Sequence, residues 1–575
     1  MKDLSYFQMR AFLYPREHDN QVELKLSELE QVWFCTLKNV KRKLRKYEEA
    51  GFYTYNPGKG RGNPSKLLFR RSFQHEIEGA VDEYIRYDQM EALMQLLQLP
   101  IPKSWIANVS EDVQALFGLQ SPNSTKDVLR SIITRPLTTL DPAFTSITFE
   151  SYLLQQLGDP LVRYDQIKDT VKPHLAHHWT VENNEKTWTF YIRKGVRFHH
   201  QRVLTSEDVR HTFQRIQDAS PHKWLLKDVS KMECPAPNMI RFELDEPNPF
   251  FLRNVSCQNL AILPADVPFD EMQWIGTGPF RLKERSKSKF VLEAFDQYFL
   301  ERPLLDDIEF WHVPMDHVQA VTFQVDGVED SEFIQEKEDV EIGFRFLAFN
   351  FNRKSIVHHP SFRKAMYQLL NMKKMSYDLG REPLAESSSY FPWKSDAQEK
   401  DPSIIHELLN DAGYGGETLT VYSLDFPKPI DETVWFIKQA KIYGISMQHE
   451  TFPIEGFYSN IIEKNADLVF MGEVASNDHH LSFLGAFYND ALLFRRMLKR
   501  EHLTTIERHL DFMKREERFS EREQWIERIE EFIRKENLFI YMYHPTKRRT
   551  FHPMIKDIRF ESFGHVDLRK LWIHT

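Results

Sequence analysis

The chain has 575 residues, several times the length of a typical domain, so two or more hydrophobic cores are expected. Hydrophobic residues make up 41% and charged residues 28%, with 21 Gly and 29 Pro, a balance that excludes a disordered or fibrous protein. The net charge of −9 hides an asymmetry: Lys38 to Arg71 hold eleven Lys or Arg against Glu48 and Glu49, a window of +9 that leaves the remaining residues at −18. A short basic island on an acidic body points to a polyanion-binding module joined to something that does not bind nucleic acid.

No window approaches the roughly 18 uninterrupted apolar residues of a membrane helix, and the first residues, MKDLSYFQMRAFLYPREHDN, have neither an apolar h-region nor a cleavage site. A cytoplasmic protein without membrane insertion is expected. The three cysteines, Cys35, Cys234 and Cys257, lack C-x-x-C spacing, which argues against a disulfide framework or a cysteine zinc site.

Leu26-Ser27-Glu28-Leu29 opens a short helical pattern with Ser27 as its N-cap, and Thr36 caps a longer helix that runs to Ala50, with Gly51 at the position after the helix. Leu37, Val40, Leu44 and Tyr47 recur at three- and four-residue spacing as a buried stripe. At about 100° per residue the opposite face carries Lys38, Arg42, Arg45, Lys46 and Glu49, with Asn39 on one shoulder. This is the outline of a helix-turn-helix, whose second helix meets base edges with its N-terminal part. Lys38, Asn39 and Arg42 are expected near bases, Arg suiting guanine and Asn adenine, while Lys41, Arg45 and Lys46 are expected at phosphates. Phe52 to Tyr55 and Lys66 to Phe69 read as strands around the glycine-rich loop 56–64, a winged-helix wing in which Lys59 and Arg61 reach phosphate or the minor groove. The loop joins two strands, which argues against a nucleotide cradle. A charge run is usually a solvated helix face; here spacing, stripe, glycine cap and basic wing agree.

From Phe73 to Leu99 the apolar positions are helical, and Trp105, Val109, Val113 and Phe117 mark a further helix, both expected to pack on the winged helix. Leu119 to Ser124 is the best linker. Beyond it, Trp188, Phe190 and Ile192 alternate as a half-buried strand, Thr205 to Asp208 is a capping box, and Asp401-Pro402 starts a helix that ends at Gly413. Strands such as Thr418 to Tyr422 and Asp467 to Met471 alternate with helices, giving a large mixed α/β class with two lobes.

Four stretches carry a specific resemblance: Thr139-Leu140-Asp141-Pro142; the block from Pro173 to Ile216 with Trp179 and Arg193-Lys194-Gly195-Val196-Arg197-Phe198-His199; Gly276-Thr277-Gly278-Pro279-Phe280, continuing to Tyr298 and Pro303 to Asp306; and Phe349-Asn350 with Phe362-Arg363-Lys364-Ala365. Over most of residues 127 to 575 the chain resembles the solute-binding proteins that serve ABC importers of oligopeptides, dipeptides and nickel. Asn56-Pro57-Gly58-Lys59-Gly60-Arg61-Gly62-Asn63 and its surroundings resemble the N-terminal domain of SgrR-type transcriptional regulators, in which a winged helix is fused to this same fold. The resemblance implies a multidomain chain: a winged helix (1–72), mostly α with a small β wing; a helical connector (73–120); and a two-lobed α/β periplasmic-binding-protein-like (type II) domain (127–575). Lobe I would hold about 127–348 and 495–575, and lobe II about 349–494.

The function implied is a cytoplasmic, ligand-responsive DNA-binding regulator whose partners are double-stranded DNA and a small-molecule effector, a sugar, sugar phosphate or peptide-like solute. Peptide binders of the family carry an Asp for the ligand amine; Ser476 stands at that position here, with Asp478 as the substitute. Trp274, Tyr390 and Trp393 lie near segments that reach the cleft in the family. The alternatives are a solute-binding component of a transporter and a cytoplasmic solute- or polyanion-binding protein. The paired histidines at 177/178, 199/200, 358/359 and 479/480 repeat no ligand spacing, and no serine has a nucleophile-elbow context, so no metal, cofactor or catalytic residue is expected. No heptad imposes a homodimer, and that state stays open.

Overall fold

The computed structural model describes residues 3–58, 63–87, 89–102, 105, 118–120, 126–133, 135–312, 335–340, 342–397, 399–551, 555–556 and 567–573. Lys59 and Arg61, and the helix expected through Val109, Val113 and Phe117, lie outside the described residues.

The N-terminal module runs α1 (Leu4–Leu13), β1 (Gln21–Leu24), α2 (Leu26–Trp33), α3 (Leu37–Glu49), β2 (Tyr53–Asn56) and β3 (Ser65–Phe69), with the strands in order β1-β3-β2. The hairpin under the wing is antiparallel and in register from Tyr53 opposite Phe69 to Asn56 opposite Lys66. Lys25, not Ser27, is the cap of α2: the Glu28 carboxylate accepts its backbone N–H at 3.0 Å, and Ser27 lies inside the helix. Between α2 and α3 Phe34 takes a left-handed conformation (φ 45°) that turns the chain within three residues. On α3 Val40, Leu44 and Tyr47 are buried, but Leu37 is 39% exposed, because the first turn of the helix projects past the module's core. Gly51, at φ +79°, ends α3 in the conformation that a side chain would strain.

Two connector helices, α4 (Phe73–Arg86) and α5 (Met90–Leu97), share this core, since Phe73, Ile77, Val81, Leu93 and Met94 pack with Tyr6, Phe7 and Val40 in one apolar cluster. A buried charge joins them: Arg10, fully buried, pairs with Glu76 on α4 at 2.7 Å, while its guanidinium lies 3.6 Å from the centre of the Phe69 ring. The same guanidinium pairs with Glu17 at 2.7 Å, so one buried cation is shared between two carboxylates. Trp105 closes the cluster against Tyr14 and Phe73.

The larger body has three principal sheets. A five-stranded sheet, β12-β13-β14-β5-β4, is formed by β4 (Gly118–Gln120), β5 (Val128–Ile133), β12 (Phe280–Arg285), β13 (Lys289–Ala294) and β14 (Asp307–His312). Leu119 and Gln120, expected to begin a linker, thus form an edge strand, opposite Leu129 and Val128. The hairpin β6 (Val162–Asp165) and β7 (Thr170–Pro173) leads into a four-stranded sheet of β8 (Ala176–Glu182), β9 (Thr187–Ile192), β10 (Val229–Ala236) and β11 (Met239–Leu244). These two sheets, with α6 (Thr148–Leu157) and α7 (Ser206–Ala219), form the first lobe. In α7 the Asp208 carboxylate accepts the Thr205 backbone N–H at 2.8 Å, the capping box read from sequence.

The second lobe is built on a six-stranded sheet in the order β17-β21-β16-β20-β18-β19. Its strands are β16 (Gly343–Phe349), β17 (Ala385–Glu386), β18 (Leu419–Leu424), β19 (Met447–Phe452), β20 (Leu468–Val474) and β21 (Phe539–His544). It carries α8 (Pro427–Ile442), α9 (His479–Tyr488), α10 (Arg500–Met513) and α11 (Phe519–Glu536). The expected lobe division at 348 and 495 is corrected here. The backbone of β16 pairs with both β20 and β21, so residues 343–349 and 495–544 belong to the second lobe; among the described residues that follow, Leu568 and Leu571 return to the core of the first. Two strands, β15 (Gln335–Val340) and β22 (Thr546–Phe551), pair antiparallel where the chain crosses between lobes in each direction.

The stretch Gly276 to Phe280 is a packing device. A Cβ on Gly278 would stand 2.3 Å from the Leu157 carbonyl carbon, and its N–H donates to the Leu157 carbonyl at 3.0 Å, so only glycine lets this loop close on the end of α6.

Candidate functional site

Two surfaces carry unsatisfied chemistry, the outer face of α3 and the cleft between the lobes. On α3, Lys38, Lys41, Arg42 and Arg45 are exposed and form no ion pair with any described residue, and Asn39 is half-buried beside them. Thr36 is the N-cap by backbone conformation, and its exposed side chain makes no cap hydrogen bond, which leaves the hydroxyl outward. Lys46 reaches Asp3 at 3.2 Å in an exposed pair, an interaction of roughly 0–1 kcal/mol that a phosphate can displace. Lys43, which has no place on the expected face, folds back to the Ser5 hydroxyl at 3.0 Å and over the Trp33 ring. The helix therefore presents a cationic row in which Lys38, Lys41, Arg42 and Arg45 have no acidic partner among the described residues.

The cleft is closed across its rim by charges exchanged between lobes. Arg253, on a single helical turn of the first lobe, donates from Nε to Asp478 Oδ2 of the second lobe at 2.8 Å and pairs with Asp478 through a second nitrogen. Its third nitrogen meets Asp169 at 3.0 Å, and its plane lies 4.3 Å from the Tyr164 ring centre. Asp169, at the turn of the β6–β7 hairpin, pairs in return with Arg522 of α11. Arg522 donates to His480 Nδ1 at 2.9 Å, and His480 Nε2 donates to Glu523 at 2.7 Å. Burial works to raise the Asp169 carboxyl, but the Tyr164 hydroxyl and the two guanidiniums outweigh it and hold it below the usual carboxylate range. Burial likewise works against the Arg253 charge, and Asp478 reverses that, leaving the cation more strongly protonated than a free arginine.

Behind this rim lies a cavity of about 460 Å³, lined by Ser146, His222, Asn259, Ser476 and Ser482 among other polar groups, and beside it a second of about 330 Å³ that includes Arg345 and Lys428. Both are in the range of small-molecule sites. Ser146, Glu473, Val474 and Leu492 line both, so the two spaces adjoin. Burial pulls His222 down to about 4, and its Nε2 donates to the Thr145 carbonyl at 2.9 Å as a neutral imidazole. Burial pushes Glu473 up to about 8, with no described cation near enough to offset it.

The expected ligand residues divide. Ser476 and Asp478 line the larger cavity, but neither is free: the Ser476 and Ser482 hydroxyls bond at 2.7 Å, and Asp478 is taken by Arg253 while also capping α9. Trp274 is corrected to a core residue, 2% exposed, its indole N–H donated to the Leu140 carbonyl at 2.8 Å. Tyr390 is buried among Phe344, Phe391 and Phe483, outside the cavity lining. Trp393 is 54% exposed, stacked on Phe391 at the surface. Arg253, Asp169, Arg345 and Glu473 carry no local sequence signal.

Among the described residues no three His, Cys, Asp or Glu side chains gather as a metal site, and no helix is long and apolar enough to cross a membrane.

Comparison with known proteins places these features. The profile of the bacterial extracellular solute-binding proteins, family 5, matches residues 170–492, and that of the sugar transport-related sRNA regulator N-terminal domain matches residues 5–113. An uncharacterized protein, YhjP, of Bacillus subtilis (strain 168) is 29% identical over 486 residues, covering 81% of each chain. The HTH-type transcriptional regulators SgrR of Photorhabdus laumondii and Yersinia pestis (strain Pestoides F) are each 27% identical, over 52% and 62% of this chain and 53% and 63% of their own lengths. Among solved structures, the dipeptide binding protein of Pseudoalteromonas sp. SM9913 in complex with Met-Leu superimposes with a TM-score of 0.69 at 18% identity, over 78% of this chain and all of that one. The periplasmic binding protein DppA of Helicobacter pylori in complex with the peptide STSA gives 0.67 at 19%, over 78% of this chain and 98% of that one. With its sheets and cleft matching that fold and its profile covering more than half of the residues, the chain belongs to the bacterial extracellular solute-binding proteins of family 5, and it carries a regulator-type domain ahead of them.

Proposed function

We propose that the protein is a cytoplasmic, ligand-responsive transcriptional regulator: α3 and the wing bind duplex DNA, and a small solute in the cleft shifts the balance of the lobes and so of DNA docking. The observation that carries the reading is the row of unpaired, exposed cations on the second helix of a winged helix, in a chain whose remaining residues are acidic and form a solute cleft. Lys38, Asn39 and Arg42 read bases, Lys41, Arg45 and Lys46 hold phosphates, and Lys59 and Arg61 of the wing reach phosphate or the minor groove. The curated relatives named as HTH-type regulators support it, although the alignments reach 53% and 63% of their lengths. No catalytic step is assigned.

The link between the two functions is a packed joint. Trp311 of β14 and Ile132 of β5 join the apolar cluster of the N-terminal module, and the Ser288 hydroxyl donates to Glu91 of α5 at 2.7 Å. The DNA-binding module thus rides on the first lobe, and closure of the second lobe presents it with a different neighbour surface. The coupling is bounded by the solute's differential affinity for the two lobe arrangements.

The test is genome-wide immunoprecipitation of the tagged full-length protein beside its Arg42→Ala/Arg45→Ala variant. A few sharp peaks that vanish in the variant are expected. Diffuse, salt-sensitive coating unaffected by the substitutions would return the basic island to a general polyanion arm, and recovery of the protein outside the cell would favour delivery of solute to a transporter.

A further inference from the structure

The charged side chains that line the two adjoining cavities are nearly all engaged: Arg163 with Asp159, Lys172 with Asp165, Arg569 with Asp567 and Asp478 with Arg253, while Lys428 lies 5.0 Å from the Tyr543 ring centre. Two are not. Glu473, half-buried near the end of β20, and Arg345, half-buried on β16, make no hydrogen bond or ion pair with any described residue. They stand on adjacent strands, Glu473 opposite Phe344 and Arg345 opposite Gly472. Because side chains alternate along a strand, this register sends them to opposite faces of the sheet, and both residues line the smaller cavity. Gly472 makes room for the cation: a Cβ there would stand 2.9 Å from a guanidinium nitrogen of Arg345.

Charges withdrawn from bulk water without a partner are costly, and an acid and a base left open in one cleft describe what is missing from it. We propose that Glu473 and Arg345 are the two poles of the ligand site and that the cleft selects a small zwitterion, with an ammonium held at Glu473 and a carboxylate or phosphate held at Arg345. Arginine suits either anion, since its planar fork donates two parallel hydrogen bonds. The polar wall between, with Ser146, Ser476 and Asn259, suits a hydroxyl- or amide-bearing body. Asp478 is not the ammonium partner, because the protein's own Arg253 fills that place.

The inference rests on the cleft being the sensory site of the proposed regulator, and the two can fail separately. Full-length protein is titrated by calorimetry and followed by thermal melting with five probes: glucosamine 6-phosphate and L-alanyl-L-alanine, which carry both charges on a sugar and on a peptide; glucose 6-phosphate; glucosamine; and glucose. At least one of the two zwitterions is expected to bind roughly tenfold or more tighter than glucose 6-phosphate, glucosamine and glucose, and which of the two does so separates the sugar from the peptide source. Glu473→Gln abolishes the preference for the amine, Arg345→Gln abolishes the preference for the anion, and Arg345→Lys restores part of it. Unliganded melting of each variant confirms that it is folded. Binding of glucose or a singly charged probe as tight as that of the zwitterions, selectivity unchanged in both variants, or no binding by either zwitterion at 10 mM (about −3 kcal/mol of affinity) overturns the proposal. A zwitterion that binds with the expected selectivity yet leaves DNA affinity unchanged would break the regulator reading and leave this one standing.

Discussion

The two working surfaces of this chain handle charge in opposite ways. On α3 Lys38, Lys41, Arg42 and Arg45 are exposed and unpaired among the described residues; across the cleft rim the cations are buried and each acid is matched by a base from the other lobe. The first arrangement costs little in the free protein, because water solvates the charges, and acts at the range of a Debye length on any polyanion. The second is demanding in geometry and acts only when the lobes meet. One surface recruits, and the other reports a conformation.

The rim makes the largest prediction. Arg253→Ala leaves Asp478 without its cation and Asp169 with Arg522 alone, a loss of about 3–5 kcal/mol if the carboxylates stay buried. They need not stay buried, since opening the lobes rehydrates both. The expected outcome is therefore an opened molecule, with an increased radius of gyration by small-angle scattering and weakened ligand binding, and a smaller fall in melting temperature than that figure implies. A variant that scatters as wild type would mean that the hinge pair and the apolar contacts, such as Trp224 stacked on Tyr488, hold the lobes without the exchange.

The α3 face is expected to respond in the contrary sense. Arg42→Ala/Arg45→Ala removes no packing, so melting should be unchanged, while the slope of log affinity for DNA against log salt should fall by about 0.9, for the one phosphate contact assigned to Arg45. An unchanged slope would show that these two side chains do not meet phosphate. A lost preference for the operator at an unchanged slope would assign both to bases.

The two surfaces also differ in how far the amino-acid sequence alone discloses them. Val40, Leu44, Tyr47 and Gly51 lie within a dozen residues, and their spacing alone defines the helix, its buried stripe and its end. Thr205 with Asp208 and Gly413 at φ +69° are legible for the same reason. The rim is invisible at that level, because Arg253 and Asp478 are 225 residues apart and nothing near either one announces the other. Leu37 departs from its expected burial because periodicity reports a face but not where the core beneath it stops. The three aromatic residues miss the cavity on a related point: Trp274 satisfies its N–H on a carbonyl 134 residues away and so belongs to the core, a fact that proximity to a cleft segment cannot supply. The lobe division shifts because β21 returns to pair with β16 after two long helices, a pairing set by sheet topology.

The smallest expected effect separates a charge held in reserve from one that is satisfied. Glu473 has no counter-ion among the described residues, so burial leaves it protonated up to about pH 8. In the unfolded chain the same carboxyl ionises near 4.5, so between those values the folded state holds a proton that the unfolded state has released, and stability falls as pH rises through that window. The buried histidines work the other way. His174, His199, His222 and His479 are pulled to about 4, so the unfolded chain takes up protons below 6.5 that the folded one refuses, and stability falls as pH drops from 6.5 to 4. Glu473→Gln removes only the first of these, so the melting-temperature gain of the variant over wild type should grow from pH 5 to pH 8 and vanish at acid pH. It should be modest, since cleft water screens a half-buried carboxyl. An ammonium ligand sharpens the same point: to meet it Glu473 must give up its proton, so binding of the favoured zwitterion at pH 7 should release protons, measured by calorimetry in buffers of different ionisation enthalpy. Glu473→Gln should abolish that release, and a release that persists in the variant would assign it to another group in the cleft.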